Sequence, residues 1–561
     1  MRKLVLSLWS LVRGLWSLVR SPWSLVRGLW SLVLVVVLLL VGCQGPSQPK
    51  PTQPVSPLAT PTSAAKPAPT IAPPVSPLAT PTAAPGPVAT VAPGARIAPE
   101  ELALQQQAMI SAAKGDIARL GNLDQYQISV TIDPQALTLT ASERLTYTNR
   151  ATVPLNELYF ATFPNAPANG GKLRVSRATV DGQECPTSLE VSDTALKVPL
   201  AQPLAPGQTA VVTLDFVTEV PRDSQGGYAV ISYSRGVLAL ASWYPILRVY
   251  EASGWHKDLA PPWGDQVFSE TALYAVNITA PKSWVVVASG SVVGQKANAD
   301  GTVTQSYRTG PMRDFYIIAS EQFQKLSTQV GETTVNSYYL PDDKTYGEQT
   351  LQFAKDAFST FSQRFGTYPF AEFDVVESAT MAGGIEYPGL VIITDRYYKS
   401  TAQPGRLEFV VVHEVAHQWW YSLVGNDQVR HPWVDEALAN YSVIVYFEAI
   451  RGKGYASGVL QQALRAPYEA AVRNGQDAVV DQPVAAFTPQ NYGPIVYDKG
   501  ALFFEALRQK VGDDVFFTIL QEYFRQYQYK IADGPAFLRL AEQVSGQNLQ
   551  VLYKEWIQSK K

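Results

Sequence analysis

Val412-His413-Glu414-Val415-Ala416-His417-Gln418-Trp419-Trp420 lies within a run, 405–424, whose apolar spacing predicts a helix. Residues four apart share one helix face. His413 and His417 can therefore offer two imidazole nitrogens to a single ion, with Glu414 held beside it. The chain has 561 residues and only 4 His, so two of them at this spacing carry weight. Zinc accepts nitrogen and oxygen ligands in a tetrahedral site that keeps one position open for water. The expected chemistry is that of a zinc hydrolase with Glu414 as general base.

Two textures flank this stretch. From Tyr126, apolar and polar residues alternate through Ile128, Val130 and Ile132, then Leu137 and Leu139. Similar runs recur at 173–180, 209–216, 228–233, 272–280, 284–293 and 303–308, separated by Gly, Pro, Asn and Asp, and Phe315 to Ser320 reads as a closing strand. Evenly spaced short strands predict an all-β unit over 123–328. Beyond it, 347–364, 405–424, 434–451, 456–473, 498–511, 513–527 and 535–545 read as helices, with strand candidates at 372–377 and 389–394. The expected fold is α+β multidomain: an N-terminal all-β domain, then a mostly α catalytic domain over 329–561. Residues 99–122 read as one leading amphipathic helix, with Pro99 suited to its first turn.

The N-terminal end is an address and a stalk. Arg2, Lys3, Arg13, Arg20 and Arg27 precede an apolar run from Leu32 to Val41. A positive region, a short apolar region and a small residue make a secretory signal over 1–43. Leu40-Val41-Gly42-Cys43 resembles a bacterial lipobox, which would leave Cys43 lipidated. An uncleaved anchor helix is the alternative. Both readings place the body at the cell envelope, outward-facing and membrane-tethered. Residues 44–98 form a Pro-rich linker; the stretch 44–99 holds 16 of the chain's 41 prolines, and no proline can donate a backbone hydrogen bond. Forty-five Lys+Arg against 48 Asp+Glu give no electrostatic case for nucleic acid. Two Cys exclude a disulfide scaffold and a structural Cys₄ zinc site. Cys185 reads as a small hydrophobe.

Trp433-Val434-Asp435-Glu436-Ala437 opens the helix after a Gly425-Asn426-Asp427 turn, and Glu436 follows His417 by nineteen residues. The arrangement resembles the gluzincin class, whose third ligand is a Glu on the following helix. His431, before Pro432, suits a supporting role better than ligation, and His256 reads as a structural histidine. More broadly, the residues resemble the zinc aminopeptidase family that includes aminopeptidase N. Three groups carry this resemblance: His413/Glu414/His417/Glu436; Met381-Ala382-Gly383-Gly384-Ile385-Glu386-Tyr387-Pro388; and Tyr492 through Tyr497-Asp498-Lys499-Gly500. The family has Gly-x-Met-Glu-Asn on a cleft-lining edge strand whose Glu binds the substrate's free α-amine. Glu386 takes that place, with Gly383 and Gly384 on the substrate-binding strand; Ile385 replaces Met and Tyr387 replaces Asn.

The resemblance further implies that Tyr497 stabilises the oxyanion, and that the fold is a saddle-like β domain resting on a thermolysin-like domain. It implies one Zn²⁺ per chain and peptide substrates. Many members cap the cavity with a long helical domain; with Lys561 about 60 residues beyond Tyr497, a more open cleft is expected here. Many also supply a second amine ligand from the β domain, and the best stretch for it, Ala239 to Tyr244, offers only Ser242. The leading expectation is an aminopeptidase. An endopeptidase of thermolysin type and a catalytically idle surface binding protein are the alternatives.

Overall fold

The structure, a computed structural model, describes residues 97–259, 261–265 and 267–560. The leader with Cys43 and nearly all of the Pro-rich linker lie outside the described residues.

The β half is built on an eight-stranded sheet. In spatial order its strands are Ser291–Ala297, Thr302–Met312, Ala272–Pro281, Asp124–Asp133, Thr138–Thr148, Thr209–Glu219, Lys172–Val180 and Gln183–Glu184. The central pair, Asp124–Asp133 with Ala272–Pro281, is parallel; its other neighbours are antiparallel. Tyr126, Ile128, Val130 and Ile132 all point inward, as the period-two pattern requires. Two four-stranded sheets complete the half. The single strand expected at 284–293 is two strands, Val285–Ala288 and Ser291–Ala297, in different sheets. Gly290 makes the corner at φ +88°, where a Cβ would stand 2.3 Å from the Arg308 carbonyl oxygen.

The α half carries a five-stranded sheet in the order Gln324–Val330, Thr333–Tyr339, Glu372–Ser378, Leu390–Thr394, Gly384–Ile385. Its three inner strands run parallel, and the helix Lys344–Arg364 crosses between two of them. The expected domain boundary at 328 falls inside Gln324–Val330, a strand of this sheet. The short strand Gly384–Ile385 pairs antiparallel on one side only and forms an edge. Helices follow to Trp556, including Gln550–Trp556, which the periodicity did not reveal.

Two other expectations change. The leading segment is a broken helix: Pro99–Gln105, an extended step at Met109 and Ile110, then Asp116–Leu120. Backbone pairing with the α half outweighs helix continuity there. Ile110 N donates to the Pro369 carbonyl (3.0 Å) and Ala371 N to the Ala108 carbonyl (2.9 Å). The helix expected at 405–424 ends at Ala416, because Trp419, Trp420 and Leu423 turn into the core. The two halves are pinned by buried Arg313. Its guanidinium donates to the carbonyls of Ser269 (3.0 Å), Tyr421 (3.0 Å) and Lys530.

Candidate active site

The helix Arg406–Ala416 is apolar nearly all round, with Val410, Val411, Val412, Val415 and Ala416 buried. Such a helix belongs in a core, and its rigidity fixes the residues it carries. His417 caps it, still in right-handed helical geometry. The returning helix Trp433–Arg451 packs against it and is tied by polar anchors. Tyr446 Oη and the Arg451 guanidinium both donate to buried Glu408 (3.0 Å for the tyrosine). Trp420 Nε1 donates to Ser442 Oγ at 3.1 Å.

This packing brings three donor atoms into one triangle. His413 Nε2 and His417 Nε2 stand 3.1 Å apart, and Glu436 Oε2 lies 3.2 Å from the first and 3.3 Å from the second. Ligands at about 2.0 Å from a tetrahedral zinc stand about 3.3 Å from one another. The hydrogen-bond chemistry agrees. His417 Nδ1 faces the Trp420 carbonyl at 3.0 Å; a carbonyl only accepts, so the proton sits on Nδ1 and Nε2 presents a lone pair. Burial depresses the pKa of both imidazoles, but Glu386 and Glu436 outweigh it at His417 and raise it well above its ordinary value. Burial pushes Glu436 up, and the two histidines outweigh that and hold it well below the usual carboxylate range. The pocket calls for a cation, and the His₂Glu set fits zinc. A second cluster, Glu386, His417 and Asp435, also converges. There the amide of Gln428 already donates to both carboxylates, at 2.8 Å and 2.7 Å, which leaves the first triangle as the better candidate for a metal.

Glu414 lies on the neighbouring face, against the edge strand. A Cβ on Gly384 would stand 2.5 Å from Glu414 Oε1, so only glycine lets the strand approach this closely. Burial, then the charge of Glu386, pushes the Glu414 carboxyl well above its usual value. A cation held by the neighbouring triangle opposes both effects. Tyr497 sits in a π-helical turn, Gly493–Lys499, rather than at the start of an α-helix. Its hydroxyl donates to Glu436 Oε1, and burial first, then Glu436, keeps it protonated far above neutrality. It is a lasting donor at the edge of the metal site.

Glu386 is buried at one end of the cleft. Burial raises its carboxyl and His417 pulls it back. The search of Ala239 to Tyr244 for a second acid missed two residues that the structure brings in. Gln428, from the loop between the ligand helices, orients Glu386. Asp265, from the β half, is half-buried and faces Glu386 and Glu436; its own carboxyl is raised well above the usual value by enclosure and by those two charges. Its Trp263-Gly264-Asp265 loop carries no motif, and proximity alone reveals it. Asp435 is pushed up to about 7 by burial and by Glu436. The Tyr387 ring stacks on Tyr316 at 3.7 Å. Gly383 lies on the same strand approach, with Tyr397 Oη 3.6 Å from where its Cβ would be.

The remaining histidines hold the ligand loop. His431 Nδ1 pairs with Asp481 at 2.6 Å, and Trp433 Nε1 donates to the same oxygen. His256, buried, reaches Asp427 at 3.0 Å across the two halves. Cys185 is half-buried against the β core.

With this geometry in place, the comparisons with known proteins are specific. Residues 349–556 match the Peptidase family M1 domain. Over these residues the catalytic half is similar to peptidase family M1. Over 310 residues the chain is 25% identical to aminopeptidase M1-B of Oryza sativa subsp. japonica, a match covering 53% of this chain and 35% of that protein. To aminopeptidase N of Streptomyces lividans it is 23% identical over 316 residues, covering 51% and 35%. The matches thus span about a third of these relatives' length. Among solved structures, a mutant M1 zinc metallopeptidase from Deinococcus radiodurans aligns with TM-score 0.58 and 20% identity, over 78% of this chain and 95% of that one. A two-domain M1 zinc metallopeptidase bound to L-arginine aligns with TM-score 0.60 and 19% identity, over 78% and 94%. These likenesses establish the β-plus-catalytic fold of the M1 metallopeptidases.

Proposed function

We propose that this protein is a zinc-dependent aminopeptidase that removes N-terminal residues from peptides, with one zinc per chain. The observation that carries the aminopeptidase reading is the buried carboxylate of Glu386 lining the cleft, immediately after the edge strand Gly384–Ile385. Desolvated and oriented by Gln428, it is built to receive an ammonium group. The names of the M1 relatives support the same activity.

His413, His417 and Glu436 hold the zinc, which when bound supplies Lewis acidity to a carbonyl and to water. The chain's own groups do the rest. Glu386 anchors the substrate's α-amine, which sets the first peptide bond over Glu414. Glu414 takes a proton from the attacking water and returns it to the leaving amine. Tyr497 donates to the negative charge that develops on the scissile carbonyl oxygen.

Sequence alone supports the location. The apolar run to Val41 and the Leu40-Val41-Gly42-Cys43 order favour a lipidated Cys43 and a protein tethered at the cell envelope. No helix among the described residues is long and apolar enough to cross a membrane.

The test is a pair of fluorogenic substrates, alanyl-coumarin and its N-acetylated twin, each with and without chelator. Free-amine hydrolysis should exceed the blocked rate by at least about a hundredfold, the scale of a lost buried charge pair. Chelator should abolish it. Equal cleavage of the blocked substrate would remove Glu386 from its assigned role.

A further inference from the structure

A single Lys or Arg lines the cleft, among several acids. Asp265, Glu386, Glu414 and Glu436 line it about the amine end and the metal site, Arg406 lines it with Phe409, and Asp498 also lines it, within electrostatic reach of Arg406. Arg406 opens the ligand helix and is exposed. Its Nε donates to Tyr397 Oη at 3.3 Å, and its guanidinium lies 5.7 Å from the ring centres of both Tyr397 and Phe409. Among the described residues it forms no ion pair.

Its place along the cleft follows from contacts on the edge strand. Glu386 marks the amine end. Gly384 touches Glu414 and marks the reacting bond. Gly383 comes next, 3.6 Å from Tyr397 Oη at its Cβ position, and that hydroxyl is the one Arg406 binds. Glu386 and Gly383 flank the strand Gly384–Ile385, three residues apart and so at most about 10 Å at roughly 3.3 Å each. An extended peptide held by its amine at Glu386 therefore brings its third or fourth residue to the guanidinium. The planar fork of arginine matches a carboxylate.

We propose that Arg406 receives the C-terminal carboxylate of tri- and tetrapeptides, so that the cleft selects short free peptides by both ends. This rests on the aminopeptidase reading and names its substrate class. Guanidinium recognition would serve a terminal carboxylate or an acidic side chain, and the geometry favours the former because the chain end coincides with the guanidinium at this length.

The test is titration calorimetry on the zinc-loaded Glu414→Gln protein, which binds without turnover. Ala-Gly-Gly should bind about tenfold more tightly than its C-terminal amide. The advantage should persist at four residues and vanish at six. Adding Arg406→Gln should bring the acid-to-amide ratio to about one. A ratio near one in the Arg406-containing protein, or one unchanged by Arg406→Gln, would overturn the proposal. So would Ala-Gly-Asp amide binding as tightly as Ala-Gly-Gly, which would assign Arg406 to side chains. Turnover of Ala-Gly-Gly amide by the unmutated enzyme reports on the aminopeptidase reading separately: its absence, with the acid preference intact, would sink that reading and leave the carboxylate site standing.

Discussion

Gly384→Ala is the sharpest probe of the catalytic arrangement. The added methyl would stand 2.5 Å from Glu414 Oε1, 2.6 Å from its Cγ and 2.7 Å from its Cδ. Ordinary contact begins near 3.4 Å, so the carboxylate must retreat by about 0.9 Å. It is the carboxyl end of a side chain whose stem is packed in the core, and the strand is held by its pairing to Leu390–Thr394. A misplacement of about 1 Å in a reacting group costs about a hundredfold. The expected result is a fall of about a hundredfold in kcat on an aminoacyl-coumarin, with KM changed far less. Zinc content should stay at the unmutated level, because the three atoms nearest the new methyl all belong to Glu414 and none to His413, His417 or Glu436. Melting temperature and metal analysis exclude a folding or loading defect. A variant with kcat within threefold of the unmutated enzyme, zinc bound, would refute the claim that the strand fixes Glu414.

Two further outcomes follow from single side chains. Tyr497→Phe removes a permanently protonated donor from the metal site and should lower kcat about a hundredfold, as loss of one oxyanion donor does, measured with the same substrate at saturation; a change below threefold would strip Tyr497 of its role. Glu143 lies inward on the strand Thr138–Thr148 with both carboxyl oxygens unpartnered, and burial raises its pKa well above 4.5. The unfolded chain ionises it first, so the folded state loses about 1.4 kcal/mol per pH unit above about pH 4.5 until the folded pKa is passed. Glu143→Leu removes that slope, and its stability relative to the unmutated protein should rise by about 2.7 kcal/mol from pH 5 to pH 7 in urea titrations. A difference that stays flat across that range would show that Glu143 is not held neutral.

Local periodicity wrote much of this molecule into its sequence. His413, Glu414 and His417 are four residues or fewer apart, so helix geometry alone sets their faces. Alternation likewise placed Tyr126, Ile128, Val130 and Ile132 in the β core, and a family motif pointed to Glu386, Glu436 and Tyr497. Properties that depend on distant segments were not legible. The helix broke at Met109 and Ile110 because strand-like pairing with Pro369 and Ala371 competes there. Gln324–Val330, which spans the expected boundary at 328, pairs with Thr333–Tyr339 in the catalytic sheet. Asp265 and Gln428 join Glu386 from 121 and 42 residues away, with no spacing to announce them. The sequence by itself determined which groups could bind an ion and on which element each would ride. Only the tertiary structure decided that Glu436 closes a 3.1–3.3 Å triangle with the histidines, that Gly384 presses on Glu414, and that Arg406 and Glu386 line one cleft. Backbone geometry carries information over one or two turns, whereas convergence of distant side chains is fixed by how the buried surfaces of helices and sheets fit together.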